Sequence, residues 1–252
     1  PGDVDGDGID DLLVGARGED SGGMATLLLG PVSGDQPMEA GHAVMRGEAS
    51  YDYAGWSLAG IGDQDGDGYR DVLIGAYGYD TFSSTAGAAY LVLGPFTGDL
   101  WSSEADASFI GAAAGDAAGY GLGGGFDEDG DGVPDIVVGA YGNDDAGGTA
   151  GAAYVIHGPA SAGGSLDQAD AVLLPSSSGG AFGWDVSLGA DQDGDGLAEV
   201  LVGAPKDDQV WTDSGSVYLY RGPVPSSGAS PAARIHGEYG SHWLGYAVAG
   251  DM

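Results

Sequence analysis

Cysteine is absent from this 252-residue chain. Disulfides, thiol catalysis and thiolate metal sites are thereby excluded. Basic residues are scarce: six Lys and Arg stand against 39 Asp and Glu, a formal charge of −33. Such a field repels nucleic acid, so DNA and RNA are excluded as partners. No run approaches the roughly 20 apolar residues that a membrane-crossing helix needs. No stretch keeps a 3.6-residue apolar period, and 52 glycines argue against long helices, since each interior one costs about 1 kcal/mol relative to Ala. P-loop, dinucleotide-binding and G-x-S-x-G elements are all missing. What is present, in a chain 42% apolar, is a succession of apolar runs of four to seven residues bounded by Gly, Pro, Asp and Ser. That pattern predicts short strands joined by tight turns.

One acidic segment occurs four times. It reads GDVDGDGIDDLLVGA from Gly2, GDQDGDGYRDVLIGA from Gly62, FDEDGDGVPDIVVGA from Phe126 and ADQDGDGLAEVLVGA from Ala190. The loops begin at Asp3, Asp63, Asp127 and Asp191, at spacings of 60, 64 and 64 residues, and a fifth begins at Asp251 and is cut off at Met252. The chain is thus a single repeat array over residues 1–252. It opens inside a loop, at Pro1-Gly2-Asp3, as a segment of something longer would.

Each repeat carries four apolar runs. The first precedes the loop, as at Trp56–Ala59 or Trp184–Val186. The second follows it, as at Val72–Ile74 or Ile136–Val138. The third ends in Gly-Pro, as in GAAYLVLGP from Gly87, and the fourth is weaker, as at Ser108–Ile110. Four strands in about 62 residues describe one blade of a β-propeller. The expected fold is all-β, with four-stranded antiparallel blades and sixteen strands. The last run, Leu244 to Gly250, either completes the first blade and closes a four-blade ring or leaves an arc of a larger one.

Numbering each loop from its first Asp, carboxylates fall at positions 1, 3, 5 and 9. They are Asp3, Asp5, Asp7 and Asp11; Asp63, Asp65, Asp67 and Asp71; Asp127, Asp129, Asp131 and Asp135; Asp191, Asp193, Asp195 and Glu199. Position 6 is always Gly, which permits a sharp turn. Position 7 (Ile9, Tyr69, Val133, Leu197) would offer its carbonyl oxygen. Such an all-oxygen set suits calcium better than magnesium, and nothing near it suits zinc or copper. Four divalent ions would offset eight of the 33 net negative charges. An EF-hand needs Glu at position 12 and a following helix. Here position 12 is Val14, Ile74, Val138 or Val202, and a strand follows.

These loops, with Phe182-Gly183 before the fourth and Gly203-Ala204-Pro205 after it, resemble the FG-GAP repeats of integrin α-subunit propellers and bacterial surface proteins. The variants Ala54-Gly55, Ala118-Gly119 and Leu244-Gly245 extend the resemblance over the whole chain. It implies a propeller with calcium in the lower-face loops between first and second strands. It also implies ligand-binding loops on the upper face, which here carry Tyr77, Tyr79, Phe82, Tyr141 and Trp211 after second strands. Tyr51, Tyr53, Tyr239 and Trp243 follow fourth strands. They would bind protein or glycan, or pack blade against blade. The four histidines, His42, His157, His236 and His242, share no phase and form no metal spacing. The expected role is an extracellular or cell-surface, calcium-stabilised module of adhesion or structural assembly, not an enzyme. The alternatives are a self-associating subunit of a filament or appendage, and a hydrolase or lyase on the same scaffold.

Overall fold

The computed structural model describes residues 1–80, 84–189 and 191–250. Glycine and Asp-Gly turns cut the chain into short extended pieces, and the described residues form 17 strands and three single-turn 3-10 helices. In chain order the strands are β1 (Leu12–Ala16), β2 (Met24–Leu28), β3 (Ala43–Arg46), β4 (Leu58–Gly62), β5 (Asp71–Ala76), β6 (Ala88–Val92), β7 (Gly98–Trp101), β8 (Ala107–Ile110) and β9 (Ala118–Phe126). They continue as β10 (Asp135–Ala140), β11 (Ala152–Ile156), β12 (Gly164–Ser165), β13 (Ala171–Leu173), β14 (Val186–Gly189), β15 (Glu199–Ala204), β16 (Ser216–Tyr220) and β17 (Ala233–His236).

Four sheets result, each an antiparallel meander: β1-β2-β3, β4-β5-β6-β8, β9-β10-β11-β13 and β14-β15-β16-β17. Two further strands were not legible in the sequence. β7 pairs in parallel with β3, and β12 with β8. In each case the connection leaving the third strand of one blade reaches back and adds an outer strand to the blade before it. Fifteen of the sixteen expected strands are present. The sixteenth, at Gly245 to Val248, is not a strand. It lies beside β14, where the Val248 N–H donates to Asp185 Oδ2 (2.7 Å) and the Gly250 N–H to Ser187 Oγ (3.0 Å). Among the described residues β1 remains the edge of its sheet, and the sheets do not close into a ring. The Asp251 loop lies outside the described residues.

The core sits between blades. Side chains on a strand alternate between its two faces, and the second strands are apolar on both. Val72 and Ile74 pack with Leu27 and Met45 of the first blade. Leu73, between them, packs with Ile136, Val138 and Tyr154 of the third. Val137 in turn faces Val200, Val202 and Tyr218 of the fourth. β5 and β10 are therefore buried along their whole length, whereas Leu12 on β1 is 47% exposed because no blade covers it. Each buried Val, Leu or Ile contributes about 1.5–3 kcal/mol, so packing between blades stabilises each of them.

The Gly of each Gly-Ala lets the blades approach. A Cβ on Gly139 would lie 2.2 Å from the Gly183 carbonyl oxygen, and Gly15, Gly75 and Gly203 meet the next blade's backbone in the same way.

Candidate metal centre

An antiparallel meander puts the turn between first and second strands at the same end as the turn after the third. The acidic loops and the Gly-Pro turns therefore share one end of the molecule. In all four loops the position-1 carboxylate organises the turn. Asp3 Oδ1 accepts the Gly6 N–H (2.7 Å) and Oδ2 the Gly8 N–H (2.8 Å). Asp63, Asp127 and Asp191 repeat both bonds within 0.2 Å. Position 6 turns with φ of 88°, 96°, 89° and 96° at Gly8, Gly68, Gly132 and Gly196, a region that favours glycine.

Position 9 ties the loop to the blade. Asp71 is fully buried; its Oδ2 accepts the Gln64 N–H (2.6 Å) and its Oδ1 the Gly94 N–H of Gly94-Pro95 (2.7 Å). Asp11 does the same with Val4 and Gly30, and Asp135 with Glu128 and Gly158. Glu199 accepts the Gln192 N–H (2.7 Å).

These bonds bring three carboxylates of each loop together. Positions 1, 3 and 9 place one oxygen each within 4.8 Å of the others: Asp3, Asp5 and Asp11; Asp63, Asp65 and Asp71; Asp127, Asp129 and Asp135; Asp191, Asp193 and Glu199. Oxygens bound to one calcium at about 2.4 Å can be at most about 4.8 Å apart, and the donors are all hard carboxylates. The residues therefore fit calcium. The position-5 carboxylates, Asp7, Asp67, Asp131 and Asp195, are not in these groups. Each accepts the position-7 N–H, of Ile9, Tyr69, Val133 or Leu197, at 2.7–2.9 Å. The side chains at position 7 pack on the Gly-Pro turns, and the Tyr69 ring also covers Gly6 of the loop before it.

Electrostatics set the buried members apart. Burial pushes the Asp71 carboxyl up to about 6, aided by Asp65 and Asp63, against its two backbone hydrogen bonds. Burial also raises Asp135 and Glu199. At exposed Asp191, backbone N–H groups from Gly196 and Gly194 lower it instead. Without a cation, the cluster resists full ionisation.

Position 2 carries a role that sequence reasoning missed. Gln64, 2% exposed, donates to the Ile61 and Pro134 carbonyl oxygens (3.0 and 2.7 Å) and accepts the Ala160 N–H (3.2 Å). Glu128, one repeat on, accepts the Val224 N–H. Ala160 and Val224 each follow a Gly-Pro of the next blade. Val4 fills the same place by apolar contact in a cluster that includes Phe96. Three residue types thus make one inter-blade latch. The signal available was their common phase.

At the opposite end, Trp56, Tyr120 and Trp184 are half-buried and stack from blade to blade, with ring centroids 4.8 Å (Trp56–Tyr120) and 4.6 Å (Tyr120–Trp184) apart. Tyr77 and Tyr141 fill the gaps between them. Arg17 lies 4.5 Å over the Trp56 ring, and Lys206 5.8 Å over Trp184. Tyr51, Trp211, Tyr239, Trp243 and Tyr246 are exposed, while Tyr53 and Tyr79 are half-buried. Phe82 lies outside the described residues. Of the histidines, His157 reaches two loop acids, Glu128 and Asp129, both at 3.3 Å, and His242 stacks edge-on with Tyr239.

A model of the FG-GAP repeat matches residues 1–28 and 182–220. The chain is 32% identical over 164 residues to integrin alpha-5 of Xenopus laevis, covering 56% of this chain and 14% of that protein. It is 35% identical over 156 residues to integrin alpha-PS2 of Drosophila melanogaster, covering 56% of this chain and 11% of that protein. It is 36% identical over 152 residues to human integrin alpha-IIb, covering 56% and 14%. The chain thus spans about a seventh or less of the length of these relatives. The FG-GAP match, the integrin alpha relatives and the four sheets support an integrin-α-like FG-GAP β-propeller segment.

Proposed function

We propose that this segment is an extracellular calcium-binding module of adhesion, in which one calcium per loop neutralises the converging carboxylates and rigidifies the blade. The observation that carries the reading is the fourfold convergence of positions 1, 3 and 9 to within 4.8 Å. In this reading Asp3, Asp5, Asp11 and their equivalents are direct ligands. Asp7, Asp67, Asp131 and Asp195 hold the turn that aims the carbonyls of Ile9, Tyr69, Val133 and Leu197. The role is structural: carboxylates at the same positions in four loops suit a repeated clamp, whereas a catalytic acid would be unique. A protein or glycan ligand would meet the opposite end, where the aromatic arc and its exposed neighbours lie. Isothermal titration with calcium tests the metal assignment. About four ions bound per chain, with magnesium weaker, is the expected result; no binding at millimolar calcium would sink it.

A further inference from the structure

The residue just before each Gly-Pro differs along the array: Leu29, Leu93, His157 and Arg221. Leu29 and Leu93 pack on the apolar clusters between blades. Arg221 instead turns to the loop, with Nε 3.1 Å from Asp193 Oδ2. Its effect is clearest at position 3. In every loop that carboxylate uses Oδ1 to accept the position-5 N–H, at 3.0–3.2 Å. In the first and second loops Oδ2 of Asp5 and Asp65 has no hydrogen-bond or ion-pair partner among the described residues, which leaves one oxygen for a cation. In the fourth loop the guanidinium holds that oxygen. In the third, His157 Nδ1 lies 3.3 Å from Asp129 Oδ2.

We infer that Arg221 is a built-in competitor for the cation, an affinity-setting residue that makes the fourth loop the weakest calcium site of the array. The inference rests on the calcium reading above. A calcium ion using Asp193 Oδ2 must displace the guanidinium or sit beside a fixed positive charge. Both weaken binding, while the ion pair stabilises the cation-free loop. Arg221 is 59% exposed, so water screens the pair and the effect is about three- to tenfold in affinity. The first loops would then fill at lower calcium than the fourth.

The test is calcium titration calorimetry on the unmodified chain and on Arg221→Leu, which matches Leu29 and Leu93. Arg221→Gln removes the charge but keeps a polar side chain, and Asp193→Asn marks the fourth-loop step. The weakest binding step should be the one that Asp193→Asn abolishes. Both Arg221 variants should tighten that step about three- to tenfold and leave the others unchanged. Thermal melts add a second readout: both variants should melt at or below the parent in chelator, yet gain more from calcium. Unchanged affinity in both Arg221 variants, or loss of a tight step in Asp193→Asn, would overturn the inference while leaving calcium binding intact. Absence of calcium binding in every form would remove the reading beneath it.

Discussion

Asp71 accepts the N–H of Gly94 at 2.7 Å, joining the start of β5 to the turn that leaves β6. Its other oxygen accepts the Gln64 N–H at 2.6 Å. One buried carboxylate therefore fixes loop, strand and turn. Asp71→Ala leaves two buried N–H groups unpaired, at about 1–3 kcal/mol each. A loss of about 2–5 kcal/mol is expected by urea denaturation, even in chelator, where its proposed role as ligand is silent. The exposed Asp35→Ala should stay within about 0.5 kcal/mol.

The raised carboxyls give the cation-free protein an unusual pH profile. Burial lifts Asp71 to about 6 and also raises Asp52 and Asp116. A carboxyl raised on folding contributes stability that is full below its unfolded value near 4 and is lost as pH rises through the folded value. In chelator, the urea midpoint should therefore fall between pH 5 and 7.5, with self-repulsion of the acidic surface acting in the same direction. Calcium affinity should move the opposite way, weakening below pH 6 as Asp71 protonates. A cation-free midpoint that climbs from pH 5 to 7.5 would contradict this.

Gln64 latches two blades through three hydrogen bonds. Gln64→Ala strips the Ala160 N–H and Pro134 carbonyl of their partner and leaves a cavity. It should cost about 2–4 kcal/mol. The check is a thermal melt, combined with hydrogen exchange at Ala160, which should lose protection in the variant.

The close backbone approach at Gly139 permits no side chain. Gly139→Ala places Cβ 2.2 Å from the Gly183 carbonyl oxygen, which forces the third and fourth blades apart at a cost of about 2–4 kcal/mol. Gly148 has open space around it, so Gly148→Ala is the matched control and should melt like the parent.

The sequence made the repeat legible because two local signals coincide: Asp-Gly turns at fixed offsets and two-sided apolar runs such as Val72–Ile74. The outer strands β7 and β12 were hidden because Gly98–Trp101 and Gly164–Ser165 are short, mostly exposed and without alternation. Their pairing is decided by the neighbouring blade's outer edge. The sixteenth strand is missing at Gly245 to Val248: Val248 and Gly250 donate to Asp185 and Ser187 of the fourth blade, and among the described residues β1 pairs only with β2. In the loops, residue type pointed to oxygen ligands but not to their division of labour. Positions 1, 3 and 9 place oxygens within 4.8 Å of one another, while the position-5 carboxylates accept the position-7 N–H. The latch at position 2 escaped because Val4, Gln64 and Glu128 share a place in the fold and no chemistry.

Thermal denaturation at pH 7.5 across a calcium series, with chelator at one end and magnesium in parallel, tests the calcium clamp most directly. Ions that bind only the folded state raise its stability by mass action, so the melting temperature should climb steadily with calcium and respond less to magnesium. A melting temperature that is the same in chelator and in millimolar calcium would contradict the clamp.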